Sequence, residues 1–270
     1  STLLASSAAS DVYKRQVCSN PTLFNLVSFM NILGFIKESK WFQRTTYGEI
    51  YLDIEINEKE EITFRVNAGW VKVEWGDGEQ SETKRRAECF RHYYRQKGLY
   101  RILVQGENIV DLDIKKCRIV RLEVNYCPTL EFIDCSGNLL KELDVQGCKK
   151  LYELDCSHNQ LEELKLGRYK KLFHLSCAWN NLEQLELGGC PGLVDLFCKY
   201  NNIHHLDVSK CKKLRSVNIG NNALDVSALK HFVNSLAIPP HKEKGFIVIR
   251  NNMTSHSEQT LVLKRGWYEI

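Results

Sequence analysis

Residues 130–140, LEFIDCSGNLL, return as LYELDCSHNQL at 151–161, LFHLSCAWNNL at 172–182 and LVDLFCKYNNI at 193–203. The interval is 21 residues each time, and a fifth copy without the cysteine, LRSVNIGNNAL, follows at 214–224. A fixed period of this length marks a solenoid, in which each turn is too small to bury its own apolar face and is stabilised by stacking on its neighbours. Each period divides into two units, as in LYELDCSHNQ followed by LEELKLGRYKK, with Leu151, Leu154, Cys156, Leu161, Leu164 and Leu166 pointing inward.

The cysteines follow the same clock. Cys135, Cys156, Cys177 and Cys198 share one repeat position; Cys127, Cys148, Cys190 and Cys211 share a second, where Tyr169 takes the remaining step. Parallel strands stack about 4.8 Å apart with side chains in register, so neighbouring sulfurs lie side by side instead of facing each other as a disulfide requires. The ladders read as buried free thiols. A straight row cannot supply a tetrahedral ligand set, and no metal or other cofactor is expected. Asn138, Asn159, Asn180, Asn201 and Asn222 recur at the bend after each strand, where an inward amide can satisfy backbone groups.

Working outward, IVDLDI from Ile109 and IVRLEV from Ile119 carry the same unit at half-turn spacing, which extends the solenoid over residues 107–224. Residues 46–106 change period to alternating strands, EIYLDIEI, EITFRVNAG and WVKVEWGDG, then GLYRILV after a basic stretch. This reads as a small antiparallel β-sandwich. Between its strands, Lys84, Arg85, Arg86, Arg91, Arg95 and Lys97 interleave with Phe90, Tyr93 and Tyr94. A hairpin whose aromatics alternate into the core accounts for this better than a nucleic-acid surface, and no nucleic-acid partner is expected. After the repeats, residues 225–270 read as a cap that shields the end of the core. Leu229, Phe232, Val233 and Leu236 lie at helical spacing behind Asp225 as N-cap, GFIVIRNN is a strand, and SEQTLVLKRG is a short helix.

The N-terminus is read separately. Residues 1–16, STLLASSAASDVYKRQ, resemble translated sequencing-adapter read-through and are set aside from fold reasoning. Residues 17–45 hold an apolar run, Leu23–Ile36, interrupted by Asn25, Ser28 and Asn31 and shorter than the roughly 20 residues of a membrane span. It reads as a helical segment, with the remnant of a signal-peptide apolar segment as the other reading, and no transmembrane segment is seen. The net charge of +4 on 270 residues gives no global case for an anionic partner.

The unit LxxLxCxxNxL resembles the leucine-rich repeat, in the cysteine-ladder, internalin J-like subgroup of bacterial repeat proteins. VEWGDG, then His92 and Tyr94 spaced HxY, then GLYRILV resemble the PKD-like modules of bacterial surface proteins. The resemblance implies an α/β solenoid, mostly β, with parallel strands on one face, placed extracellularly or on the cell surface and serving in binding rather than catalysis.

Functional positions are expected where the repeat departs from its own pattern. On the open sheet face most repeats carry Asp, Ser and Asn, whereas the third and fourth present His174, Ser176, Ala178 and Trp179, then Asp195, Phe197, Lys199 and Tyr200. With Phe132, Asp155 and His158 from flanking repeats, these form a candidate face for a protein or glycan ligand, since clustered aromatics bury large area at low entropic cost. The competing reading is that the rings merely cover one another or touch the β-module. The histidines and aspartates lack a paired nucleophile and a water-excluding pocket, so no catalytic residue is assigned. A structural spacer displaying another domain is the alternative to a recognition scaffold.

Overall fold

A computed structural model of the chain describes residues 46–84, 88–239, 245–250, 252 and 266–269. The expected helical segment at 17–45 and most of the expected short helix at 257–266 lie outside the described residues. From Tyr47 onward the chain is one compact unit with a single continuous hydrophobic core.

Six strands build the module: β1 (Tyr47–Ile56), β2 (Glu60–Asn67), β3 (Trp70–Glu74), β4 (Gln80–Thr83), β5 (Glu88–Tyr94) and β6 (Gly98–Glu107). β1 and β6 pair antiparallel along their whole length, from Tyr47 opposite Glu107 to Ile56 opposite Gly98. Alternation places Ile50, Leu52, Ile54 and Ile56 inside. On β5 the same alternation buries Phe90, His92 and Tyr94 and turns Arg91 and Tyr93 outward. The tight turn WGDG is held by its own side chains. Asp77 Oδ2 lies 2.6 Å from His92 Nε2, Asp77 Oδ1 accepts the Glu79 amide, His92 stacks on Trp75 at 4.7 Å, and the Tyr94 hydroxyl donates to the Trp75 carbonyl. Asp77 is therefore committed to orienting a buried imidazole.

The solenoid follows as β7 (Asp111–Asp113), β9 (Phe132–Asp134), β11 (Glu153–Asp155), β13 (His174–Ser176), β14 (Asp195–Phe197) and β15 (Ser216–Asn218) on one face. β8 (Ile119–Glu123), β10 (Glu142–Asp144) and β12 (Glu163–Lys165) lie on the other. Within the first set, neighbours pair in parallel with a 21-residue offset, Leu112 beside Ile133, Leu154 and Leu175 in turn. Both sheets of the module run on into the solenoid: β2 pairs antiparallel with β7, Val66 opposite Leu112, and β1 with β8, Leu52 opposite Leu122. The module thus closes the N-terminal end of the repeat core through backbone hydrogen bonds on both faces, and the two sheets end at that side on β5 and β4.

At the far end, α1 (Val226–Ser235) is capped by Asp225, whose carboxylate accepts the Ala228 amide at 2.7 Å, and buries Ala228, Leu229, Phe232 and Val233. β16 (Gly245–Val248) and β17 (Trp267–Glu269) then extend the same sheet to ten strands.

The recurrent polar positions behave as one device. The Asn180 amide donates to the carbonyls of Cys177 in its own turn and Cys156 in the previous one, while its oxygen accepts the Leu161 amide. Asn159, Asn201 and Asn222 repeat this pattern, and Asn252, 30 residues after Asn222, continues it past the helix. The thiols are free and the first ladder is fully buried. In the second ladder Cys148 and Cys211 donate to the carbonyls of Val124 and Leu187, and the Tyr169 hydroxyl reaches the matching carbonyl of Val145. Tyrosine takes the cysteine position by making the same bond over a longer reach.

Candidate ligand-binding face

The outer face of the ten-stranded sheet is built from rows set by strand register. One row runs Asp111, Phe132, Glu153, His174, Asp195, Ser216; the next runs Asp113, Asp134, Asp155, Ser176, Phe197, Asn218. Beyond the strand ends lies a third column, Lys116, Gly137, His158, Trp179, Tyr200 and Asn221, all with φ between 53° and 67°. This left-handed conformation suits glycine and asparagine and strains bulky side chains. Three aromatic rings nevertheless stand there, stacked in a pile: His158 on Trp179 at 5.5 Å and Trp179 on Tyr200 at 3.7 Å, each pair within 13° of parallel. Lys199 Nζ sits 5.9 Å from the Tyr200 ring.

The nine residues singled out from the sequence separate into groups. His158, Trp179, Tyr200 and Lys199 form the rim column. His174, Asp195 and Phe197 meet in the middle of the face, with His174 Nδ1 3.8 Å from Asp195 Oδ2 and its ring 5.4 Å from Phe197. Asp155 lies beside Ser176, its Oδ1 accepting the Ser157 amide at 2.9 Å. Phe132 lies apart, against Tyr152, which stacks on Phe173 at 5.4 Å. Tyr152 and Phe173 were missed from the sequence, although both occupy the second position of the repeat and could have been read as a column. Ser176 and Ala178 face outward but retain only 8% and 5% exposure, so they lie at the floor of the face and do not project from it. The rings do cover one another, yet Trp179 and Tyr200 remain 43% and 38% exposed.

Charge is uneven along the face. Asp113 is met by Arg65 at 3.3 Å and Lys115 at 3.1 Å, and Lys115 also approaches Asp134 at 3.6 Å. The hydrogen bond to Asp113 raises the Lys115 pKa, while burial, with the charges of Asp113 and Asp134 behind it, raises that of Asp111 against the pull of Arg65. Among the described residues no group of three or more His, Cys, Asp or Glu side chains could hold a metal ion. Surface depressions occur on the opposite face, between Glu142, Glu163 and Lys165.

Period, parallel register, asparagine ladder and buried cysteine rows together define the fold as a leucine-rich repeat solenoid with a cysteine ladder. No protein-family model matches the chain, and no curated protein does. Among solved structures it is similar to the leucine-rich repeat domain of APL1B, with 28% identity over 40% of this chain and 32% of that one, at a TM-score of 0.38. It is similar also to the functional domain of InlJ from Listeria monocytogenes, which includes a cysteine ladder, with 18% identity over 58% and 49% at 0.32. A third is the internalin InlF from Listeria monocytogenes, with 17% identity over 60% and 66% at 0.27. The chain thus spans between about a third and two thirds of these structures. Among the described residues no helix is long and apolar enough to cross a membrane.

Proposed function

We propose that the chain is a noncatalytic recognition scaffold of the cell surface or extracellular space that binds a protein ligand through the open face of its solenoid. The observation that carries this reading is the aromatic column. His158, Trp179 and Tyr200 occupy a backbone position that glycine or asparagine would fill at lower cost, and backbone strain retained for large exposed side chains is a mark of a working surface. Between a protein and a glycan the ring geometry favours the protein. A sugar ring stacks on an aromatic face, but both faces of Trp179 are taken by His158 and Tyr200, which leaves a sugar only the outer faces of the two end rings, whereas ring edges along the pile can pack against side chains. The WGDG, HxY and GLYRILV residues support reading the N-terminal module as PKD-like, a stable mount for the repeats.

The test compares proteins captured by the native chain, by the Trp179→Ala/Phe197→Ala/Tyr200→Ala variant, and by a Glu142→Ala/Glu163→Ala variant altered on the opposite face. Capture lost only in the first variant supports the reading; capture unchanged in it, or lost only in the second, refutes it.

A further inference from the structure

We infer that the middle of the open face holds a binding point for a primary ammonium, the lysine side chain of a protein partner, formed by Asp155, Ser157 and Ser176. This rests on the recognition reading above and adds the chemistry of the ligand.

Ser157 and Ser176 alternate with the inward Cys156 and Cys177, so their side chains are directed to the open face. Each retains 8% exposure, and among the described residues neither hydroxyl has a hydrogen-bond partner. A buried hydroxyl left without a partner is costly, so two such groups around one carboxylate call for a ligand. Asp155 adjoins both: it stands opposite Ser176 across the parallel ladder and binds the Ser157 amide two residues on. Its row neighbours Asp113 and Asp134 are met by Arg65 and Lys115, whereas Asp155 has no ion-pair partner among the described residues.

The three groups share one polarity. The carboxylate only accepts hydrogen bonds, and both hydroxyls can accept, so the complement is a compact cation with several donors. Lysine offers three donors around a point charge. Arginine fits less well, because its planar fork seeks two oxygens of one carboxylate, and Oδ1 of Asp155 is already engaged by the Ser157 amide. The piled rings of His158 and Trp179 stand at the end of the same two strands and supply edges against which the lysine methylenes can lie.

The test is an NMR titration of the full chain with Nα-acetyl-lysine-N-methylamide, following the Trp179 indole and the Ser157 and Ser176 amides, with the norleucine analogue as control. Saturable shifts with the lysine probe alone, and affinity lowered about tenfold in Asp155→Asn, as expected for losing a charged partner, support the inference. Ser157→Ala and Ser176→Ala remove unpartnered hydroxyls, so these variants keep or gain stability while the probe weakens. No saturable shift, an equal response to norleucine, or unchanged affinity in all three variants overturns it. A captured protein that still binds Asp155→Asn and both serine variants but is lost with the rim substitutions overturns this inference and leaves the open-face reading standing.

Discussion

Replacing Asn180 with alanine removes one side chain and breaks three buried connections. The Leu161 amide loses its acceptor at 2.9 Å, and the carbonyls of Cys156 and Cys177 each lose one of two donors, at 3.0 and 3.1 Å, keeping those of Asn159 and Asn201. A buried amide left unsatisfied costs about 1–3 kcal/mol and each of the two lost carbonyl bonds about 0.5 kcal/mol, so the substitution should cost roughly 2–4 kcal/mol. That is a large part of the roughly 5–15 kcal/mol that holds a typical domain together. Asn181 is the control: it is exposed, its side chain makes a single long contact at 3.5 Å to the Gln160 carbonyl, and Asn181→Ala should fall within about 0.5 kcal/mol of the native chain. Urea unfolding followed by far-UV circular dichroism measures both. The broken bonds join the turn of Cys156 to that of Cys177, so the Asn180→Ala transition should also broaden as neighbouring repeats uncouple. A loss below about 1 kcal/mol, or one equal to that of Asn181→Ala, would refute the view that the asparagine ladder ties turn to turn.

Thiol accessibility gives a second check. Burial pushes the Cys198 pKa up to about 12 and those of Cys156 and Cys177 well above their usual value, whereas Cys89 is exposed. Maleimide labelling with peptide mapping at mildly alkaline pH should therefore modify Cys89 in the folded chain and the ladder thiols only in denaturant. The module should show an acid limb. Burial alone would raise the Asp77 pKa, but the hydrogen bonds from His92 and the Glu79 amide lower it. A carboxyl depressed in the folded state stabilises above its unfolded pKa, and that stability is lost as pH falls through the folded value. Asp77→Asn should flatten this limb in acid unfolding, and an unchanged limb would contradict the assignment. Trp179→Asn removes two stacking pairs worth about 0.5–1.5 kcal/mol each and relieves a left-handed backbone cost of about 1–2 kcal/mol, a net change of about 1 kcal/mol or less. Its unfolding midpoint should stay close to native while partner binding is lost.

The repeat was legible because every turn obeys the same demands. An inward leucine, a small thiol that fits a stacked row and an asparagine at the bend recur wherever the backbone returns to the same place, and the spacing of Leu130, Leu151, Leu172 and Leu193 placed the strands. The junction was not legible. Pairing of β1 with β8 and β2 with β7 is antiparallel and far apart in sequence, and no local pattern encodes it. Asn252 escaped notice because the helix inserts extra residues and breaks the 21-residue clock. On the open face, alternation identified the outward positions but not their depth: Ser176 and Ala178 are outward yet barely exposed. Whether Trp179 would show a face or an edge depends on the left-handed backbone at that column, which residue type alone conceals, since Lys116, Gly137 and Asn221 share it.

If binding is located where the solenoid departs from its repeat, as proposed, a partner must bury the open sheet face. Hydroxyl-radical footprinting of the chain, free and bound to a captured partner, reads this directly through its exposed aromatics. Protection of Trp179 and Tyr200, with Tyr126 on the opposite side as reactive as in the free chain, is the predicted result. Protection of Tyr126 with Trp179 and Tyr200 unchanged would contradict it.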